Sequence, residues 1–159
     1  MSDPQTGKHS IYVSAFFCDR LLREHDGILS AIRVVYLFLV PVPEQDATPF
    51  IPRLETNLVV IFRSESQAEF TATIRATDPQ GTIQSSSSPV SLTGEPGIYV
   101  YTMSITIFIN DVLEGTHWYD ILVNGSLANR IPLHVKHVEV PLSRELRQTW
   151  KSPDEGAGS

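Results

Sequence analysis

Ala68-Glu-Phe-Thr-Ala-Thr-Ile-Arg-Ala76 alternates without a break. Phe70, Ala72, Ile74 and Ala76 fall on one side of an extended chain, and Glu69, Thr71, Thr73 and Arg75 on the other. Successive side chains of a strand point to opposite faces, so this segment is a strand covered on one side and wet on the other. Asp78-Pro-Gln-Gly81 then supplies turn chemistry, because proline presets φ and glycine accepts positive φ.

The same period recurs along the chain. From Tyr99 to Ile109 the residues Tyr99, Tyr101, Met103, Ile105, Ile107 and Ile109 share one face, and Thr102, Ser104 and Thr106 the other. Trp118 to Val123, Asn124-Gly125 and Leu127 to Val135 read as a hairpin, since Asn-Gly favours the tight turn that joins antiparallel strands. Pro132 lacks a ladder donor, which predicts an edge or a bulge there. Ser10 to Phe17, Ile28 to Val40, Leu58 to Phe62 and a short piece at Ser91-Leu92 complete the strands. Cys18 to Asp26 is expected to hold a helical turn at Arg20–Glu24. Pro41 to Leu54, with four prolines, is expected to cross irregularly between sheets, and Thr82 to Ser88 to be a loop or weak edge.

Short strands broken at turn-rich joints, with no helices between them, predict an all-β chain: a two-sheet antiparallel β-sandwich of seven or eight strands. Residues 1–9 read as a flexible start and 10–140 as the sandwich. Residues 141–159 read as a tail in which Ser143 caps a short helix bearing Leu142, Leu146 and Trp150, followed by a disordered end.

Composition narrows the function classes. At 159 residues, 42% hydrophobic and 19% charged, the chain suits one globular domain. A net charge of −6 with no basic run argues against nucleic acid and against an anionic membrane surface. The apolar stretch Ile28–Val42 is too short and too interrupted to span a bilayer. Cys18 is the single cysteine, and the opening residues lack the apolar run of a signal peptide, so a reduced, cytoplasmic setting is the expectation.

Candidate chemistry is sparse. His134 and His137 have the spacing of a metal pair on a helix, but on a strand residues three apart point to opposite faces, and no metal or other cofactor is expected. His117 beside Asp120 has no GxSxG elbow to serve. Cys18 with His25 could form a thiol–imidazole pair, yet Cys18 follows Ala15-Phe16-Phe17 and reads more simply as a buried filler. Glu44 and Asp46 lack a sugar platform nearby. Ile28 to Val40 is more unusual. Ile32, Val34, Tyr36 and Phe38 alternate with Val35, Leu37 and Leu39, so both faces are apolar where an antiparallel sandwich keeps its outer face polar.

Three stretches carry a resemblance: Phe17-Cys-Asp-Arg20 with Asp26 to Arg33, Ala68 to Gly81, and Gly115 to Gly125 running into Ile131-Pro-Leu-His-Val135. Together they resemble a family of small uncharacterised bacterial domains, a domain of unknown function, over residues 10 to 136. The resemblance implies a bacterial source and an immunoglobulin-like sandwich, and no chemistry. The closing hairpin also resembles the penultimate strand of immunoglobulin-type sandwiches, which implies a structural corner at Tyr119. Ile121 stands where that pattern has its second cysteine.

The reading that follows is a non-enzymatic protein-interaction or structural module, partnered by an unknown protein or by further copies of itself. Its candidate surface is Val35, Leu37 and Leu39, with Leu142, Leu146 and Trp150 as a cover from the tail. The alternatives are a small hydrolase-like or thiol-dependent enzyme using Cys18 or the histidines, and a structural subunit of a bacterial or phage-derived assembly.

Overall fold

A computed structural model describes residues 11–25, 28–43, 51–65, 69–93 and 100–140. The described elements are ten strands: β1 (Ile11–Arg23), β2 (Leu29–Val35), β3 (Leu37–Pro43), β4 (Arg53–Ser64), β5 (Glu69–Thr77), β6 (Ile83–Ser86), β7 (Val90–Thr93), β8 (Val100–Asn110), β9 (Gly115–Val123) and β10 (Ser126–Val140). They form a four-stranded sheet, β2-β1-β4-β8, and a six-stranded one, β3-β10-β9-β5-β6, with β7 also paired to β5. Placing β4 and β8 in one sheet against β10, β9 and β5 in the other is the immunoglobulin-like arrangement, here with an added β1–β2 hairpin.

The core takes one parity from each strand. Leu54, Leu58, Val60 and Phe62 of β4 meet Phe70, Ala72 and Ile74 of β5, with Ile121, Leu133 and Val135 behind them. Aromatic edges cross the gap: Phe17 meets Tyr119 at 5.2 Å and 74°, and Phe70 meets Tyr101 at 5.2 Å and 87°. Such T-shaped pairs set the positive ring edge against the negative face. Asn129 Nδ2 donates to Val13 O at 3.0 Å, a polar tie between the sheets beside a bulge at Leu127/Asn129.

The apolar segment 29–43 is divided between the sheets. β2 runs antiparallel to β1, the chain bends at Tyr36, and β3 then runs parallel to β10. Because the two sheets face each other across the core, a strand that changes sheet must reverse the parity that points inward. Val35, opposite Phe17, is half-buried on the core side of β2, whereas Phe38 and Val40 take that side in β3. Leu37 and Leu39 are therefore outward, and Val35 does not share their face.

Two further expectations are corrected. Arg20–Glu24 is not a helical turn: Leu21, Leu22 and Arg23 pair with Ala31, Ser30 and Leu29. Ladder bonds to a partner strand outweigh a single turn of helix, whose nucleation is unfavourable. Pro132 lies opposite Trp118 in an inner strand, not an edge one. It is tolerated because β3 joins β10 only from His134 onward, which leaves Pro132 paired on one side. The expected helix from Ser143, with Leu142, Leu146 and Trp150, lies outside the described residues.

Candidate functional site

The outer face of the six-stranded sheet carries a fixed polar cluster. β5, β9 and β10 place Arg75, Asp120 and Arg130 side by side, in the register Arg75↔Asp120↔Arg130. Asp120, only 1% exposed, accepts from Arg75 Nη2 at 2.7 Å and from Arg130 Nε at 2.5 Å and Nη2 at 3.1 Å. The Arg130 hydrogen bond is the main influence holding the Asp120 carboxyl below its ordinary value; burial opposes it, and Arg75 adds to it. Reciprocally, Asp120 raises the Arg130 guanidinium.

Two residues along β9 from Asp120, on the same face, Trp118 is 38% exposed, with the Arg130 guanidinium carbon 5.8 Å from its ring centre. A cation over an indole face is attracted by the ring quadrupole, so Asp120 fixes Arg130 and Arg130 orients Trp118. Further across the face, His134 and Lys136 of β10 are exposed, and His134 pairs with Leu37 and Lys136 with Leu39. Leu37 and Leu39 are 50% and 61% exposed at this margin. Around Trp118 the formal charges are thus Arg75, Arg130 and Lys136 against Asp120 and, opposite Lys136 just before β9, exposed Glu114, a face with a small positive excess on a chain of net charge −6.

The end of the sandwich near β9 is rigidly tied. Gly115 sits at φ +130°, and a Cβ built on it would lie 2.8 Å from Pro79 Cβ. Pro79 belongs to the Asp78-Pro-Gln-Gly81 turn, where Asp78 accepts from Gln80 N at 2.9 Å, Thr82 N at 2.8 Å and Gln84 Nε2 at 2.7 Å. Burial pushes the Asp78 carboxyl up, but these bonds and nearby His117 outweigh it and hold it low. His117 and His137 bond through Nε2 to Leu113 O at 2.9 Å and Val112 O at 2.8 Å, pinning the loop between β8 and β9.

The other sequence candidates are dispersed. His134 faces outward to Thr116 Oγ1 at 3.0 Å, while His137 reaches the opposite way to Val112. Among the described residues no group of three metal-ligating side chains gathers. Cys18 is fully buried, and burial first, then Asp19, raises its thiol pKa. It sits on the outward parity of β1, paired with Asn57 and Val34, outside the main core. His25 is exposed at the β1–β2 turn, seven residues on along an extended strand, which at ~3.3 Å per residue separates it from Cys18. Tyr119 is buried in β9 with its hydroxyl pushed up to about 12 by burial. Leu142, Leu146 and Trp150 lie outside the described residues.

No local signal in the sequence brings Arg75, Asp120 and Arg130 together. Their outward parity is legible in each strand, but the register that aligns three strands is long-range.

No family model matches the chain, and no curated protein matches it. Among solved structures, it is similar to an alkylpurine DNA glycosylase from Pseudomonas fluorescens bound to DNA containing an abasic-site analogue. The identity is 11% and the TM-score 0.39, over 79% of this chain and 30% of that one. It is also similar to an immunoglobulin-like protein from Pseudomonas aeruginosa, at 12% identity and TM-score 0.39 over 80% of this chain and 97% of that one. Both likenesses are distant.

Proposed function

We propose that this domain is a non-enzymatic protein-interaction module that docks through the outer face of its six-stranded sheet. Its partner presents carboxylates beside an aromatic or aliphatic group. The observation that carries the reading is the Trp118–Arg130 pair, half-open and held in place by buried Asp120. Tryptophan and arginine dominate binding energy at protein interfaces, and a pre-oriented pair loses little side-chain entropy on contact. Arg75, Arg130 and Lys136 supply the attraction for acidic groups, and Leu37 and Leu39 the apolar margin.

The test uses the full chain with Trp150→Phe, so that fluorescence reports Trp118 alone. Pools of acidic-aromatic and basic-aromatic heptapeptides are titrated separately. The acidic pool is expected to saturate the signal, and Arg130→Ala or Leu37→Lys to weaken it about tenfold each, as loss of one interface anchor does. Equal responses to both pools sink the proposal. Light scattering, with Leu37→Lys and with residues 141–159 deleted, separates the competing occupants. A dimer lost in Leu37→Lys assigns the face to a second copy. Deletion of 141–159 that by itself opens the face to peptide assigns it to the chain's own tail.

A further inference from the structure

The four-stranded sheet has a second feature, independent of the face described above. β1 pairs with β4 only as far as Cys18↔Asn57, after which β1 and β2 continue as a two-stranded arm. At that point Arg33 of β2 takes φ 53° and pairs with Asp19 at 2.9 Å. Beyond the kink, the side of the arm that carries Leu21, Arg23, Leu29 and Ala31 lines the same cavity as Phe16, Val59 and Ile61, on the outward parity of β1 and β4, and Thr102 of β8. The arm thus reaches over the sheet's outer face and bounds a half-open cleft of about 360 Å³. Val59 is 2% exposed although it belongs to no part of the main core.

We infer that this cavity is a binding site for a small amphiphilic carboxylate, with its hydrocarbon against Phe16, Leu21 and Ile61 and its head group on Arg23. Six of the eight lining residues (Phe16, Leu21, Leu29, Ala31, Val59 and Ile61) are apolar, and Arg23 and Thr102 add polar groups, a mixed lining that suits an amphiphile in a space far larger than the voids a packed interior keeps. The charge fixes the ligand class. Leu21 and Arg23 point to one side of the arm and Leu22 to the other, so the guanidinium is placed on the cavity side of the hairpin. Among the described residues Arg23 has no ion-pair partner, and its neighbour Glu24 is engaged by the Ser30 hydroxyl. A guanidinium beside an apolar wall selects a carboxylate by paired N–H donation. Thr102, across the cavity, adds a hydroxyl donor.

Isothermal titration of the full chain with sodium octanoate, below its micelle concentration, is the test. One saturable site per chain is expected, with octyltrimethylammonium failing to bind. Arg23→Gln is expected to weaken octanoate about tenfold or more, the usual effect of losing a charged hydrogen bond. Ala31→Trp, an exposed position on the cavity side of the arm, is expected to fill the space and abolish binding at an unchanged urea midpoint. Absence of saturation at millimolar octanoate overturns the inference. So does equal binding of the alkylammonium, or full retention of octanoate in Arg23→Gln or Ala31→Trp.

Discussion

Arg130 and Asp120 meet across β10 and β9 with Nε 2.5 Å from a carboxylate oxygen, and Arg75 closes on the same carboxylate from β5 at 2.7 Å. One carboxylate therefore ties three strands together on a sheet's outer face, at the point from which Trp118 is oriented. Because Arg130 and Arg75 hold the Asp120 carboxyl below its ordinary 3.8, the carboxylate stabilises the fold at pH above that value. The contribution fades as pH falls through the lower, folded-state value. Asp120→Asn is expected to cost about 1–2 kcal/mol at neutral pH, a modest figure because both arginines can rehydrate. It is also expected to flatten the decline of stability below about pH 4, where the wild-type carboxylate takes up its proton. Urea melts of both proteins from acid to neutral pH check this, and parallel declines would remove Asp120 as the cause.

Gly115 and Gly81 separate two costs of adding a methyl group. Both have positive φ, at +130° and +85°, but only Gly115 has a neighbour in the way, Pro79 Cβ at 2.8 Å. Gly81→Ala is expected to cost about 1–2 kcal/mol for the left-handed backbone alone. Gly115→Ala is expected to exceed it by about 1–3 kcal/mol, from overpacking against Pro79 and from a φ of +130° that lies further from the left-handed region open to alanine. Equal urea midpoints for the two variants would show that the Asp78–Gly81 turn moves freely away from β9.

Cys18 is expected to be chemically silent in the native protein. Full burial and a raised thiol pKa both lower the thiolate available to an alkylating reagent. Iodoacetamide at mildly alkaline pH should label it only through unfolding, with labelling accelerated by urea in step with the loss of structure. Rapid native labelling would mean that the arm opens locally and exposes β1.

What was legible follows from the range of each interaction. Period two in residues 68–76 and 99–109 and the Asn124-Gly125 turn are local, and β5, β8 and the β9–β10 hairpin form as they predict, with Asn124 and Gly125 at φ 49° and 77°. The arm was not legible, because Arg20–Glu24 suits a helix locally and only the pairing with Leu29–Ala31 decides otherwise. Register across β5, β9 and β10, which assembles Arg75, Asp120 and Arg130, is set by packing between segments up to 55 residues apart in the chain, from Arg75 to Arg130. The switch at Tyr36 was hidden for another reason. When both parities of a segment are apolar, alternation carries no information on which faces inward.

That hidden switch gives the sharpest mutational contrast. If segment 29–43 were one uninterrupted strand, Val35, Leu37 and Leu39 would share one environment and Phe38 and Val40 the other, with nothing to tell which is the core. With parity reversed at Tyr36, Val35 packs on Phe17's side in β2, and Val40, 3% exposed, enters the core from β3. Val40→Ala is then expected to cost about 2 kcal/mol, the value of a buried valine side chain plus its residual cavity. Val35→Ala, half-buried, is expected to cost about 1 kcal/mol. Leu37→Ala and Leu39→Ala are expected within about 0.5 kcal/mol of wild type in the isolated domain, as exposed substitutions are. Urea melts of the four variants decide it. Val35 grouping with Leu37 and Leu39, rather than with Val40, would show a continuous strand and remove the sheet change that turns Leu37 and Leu39 toward Trp118's face.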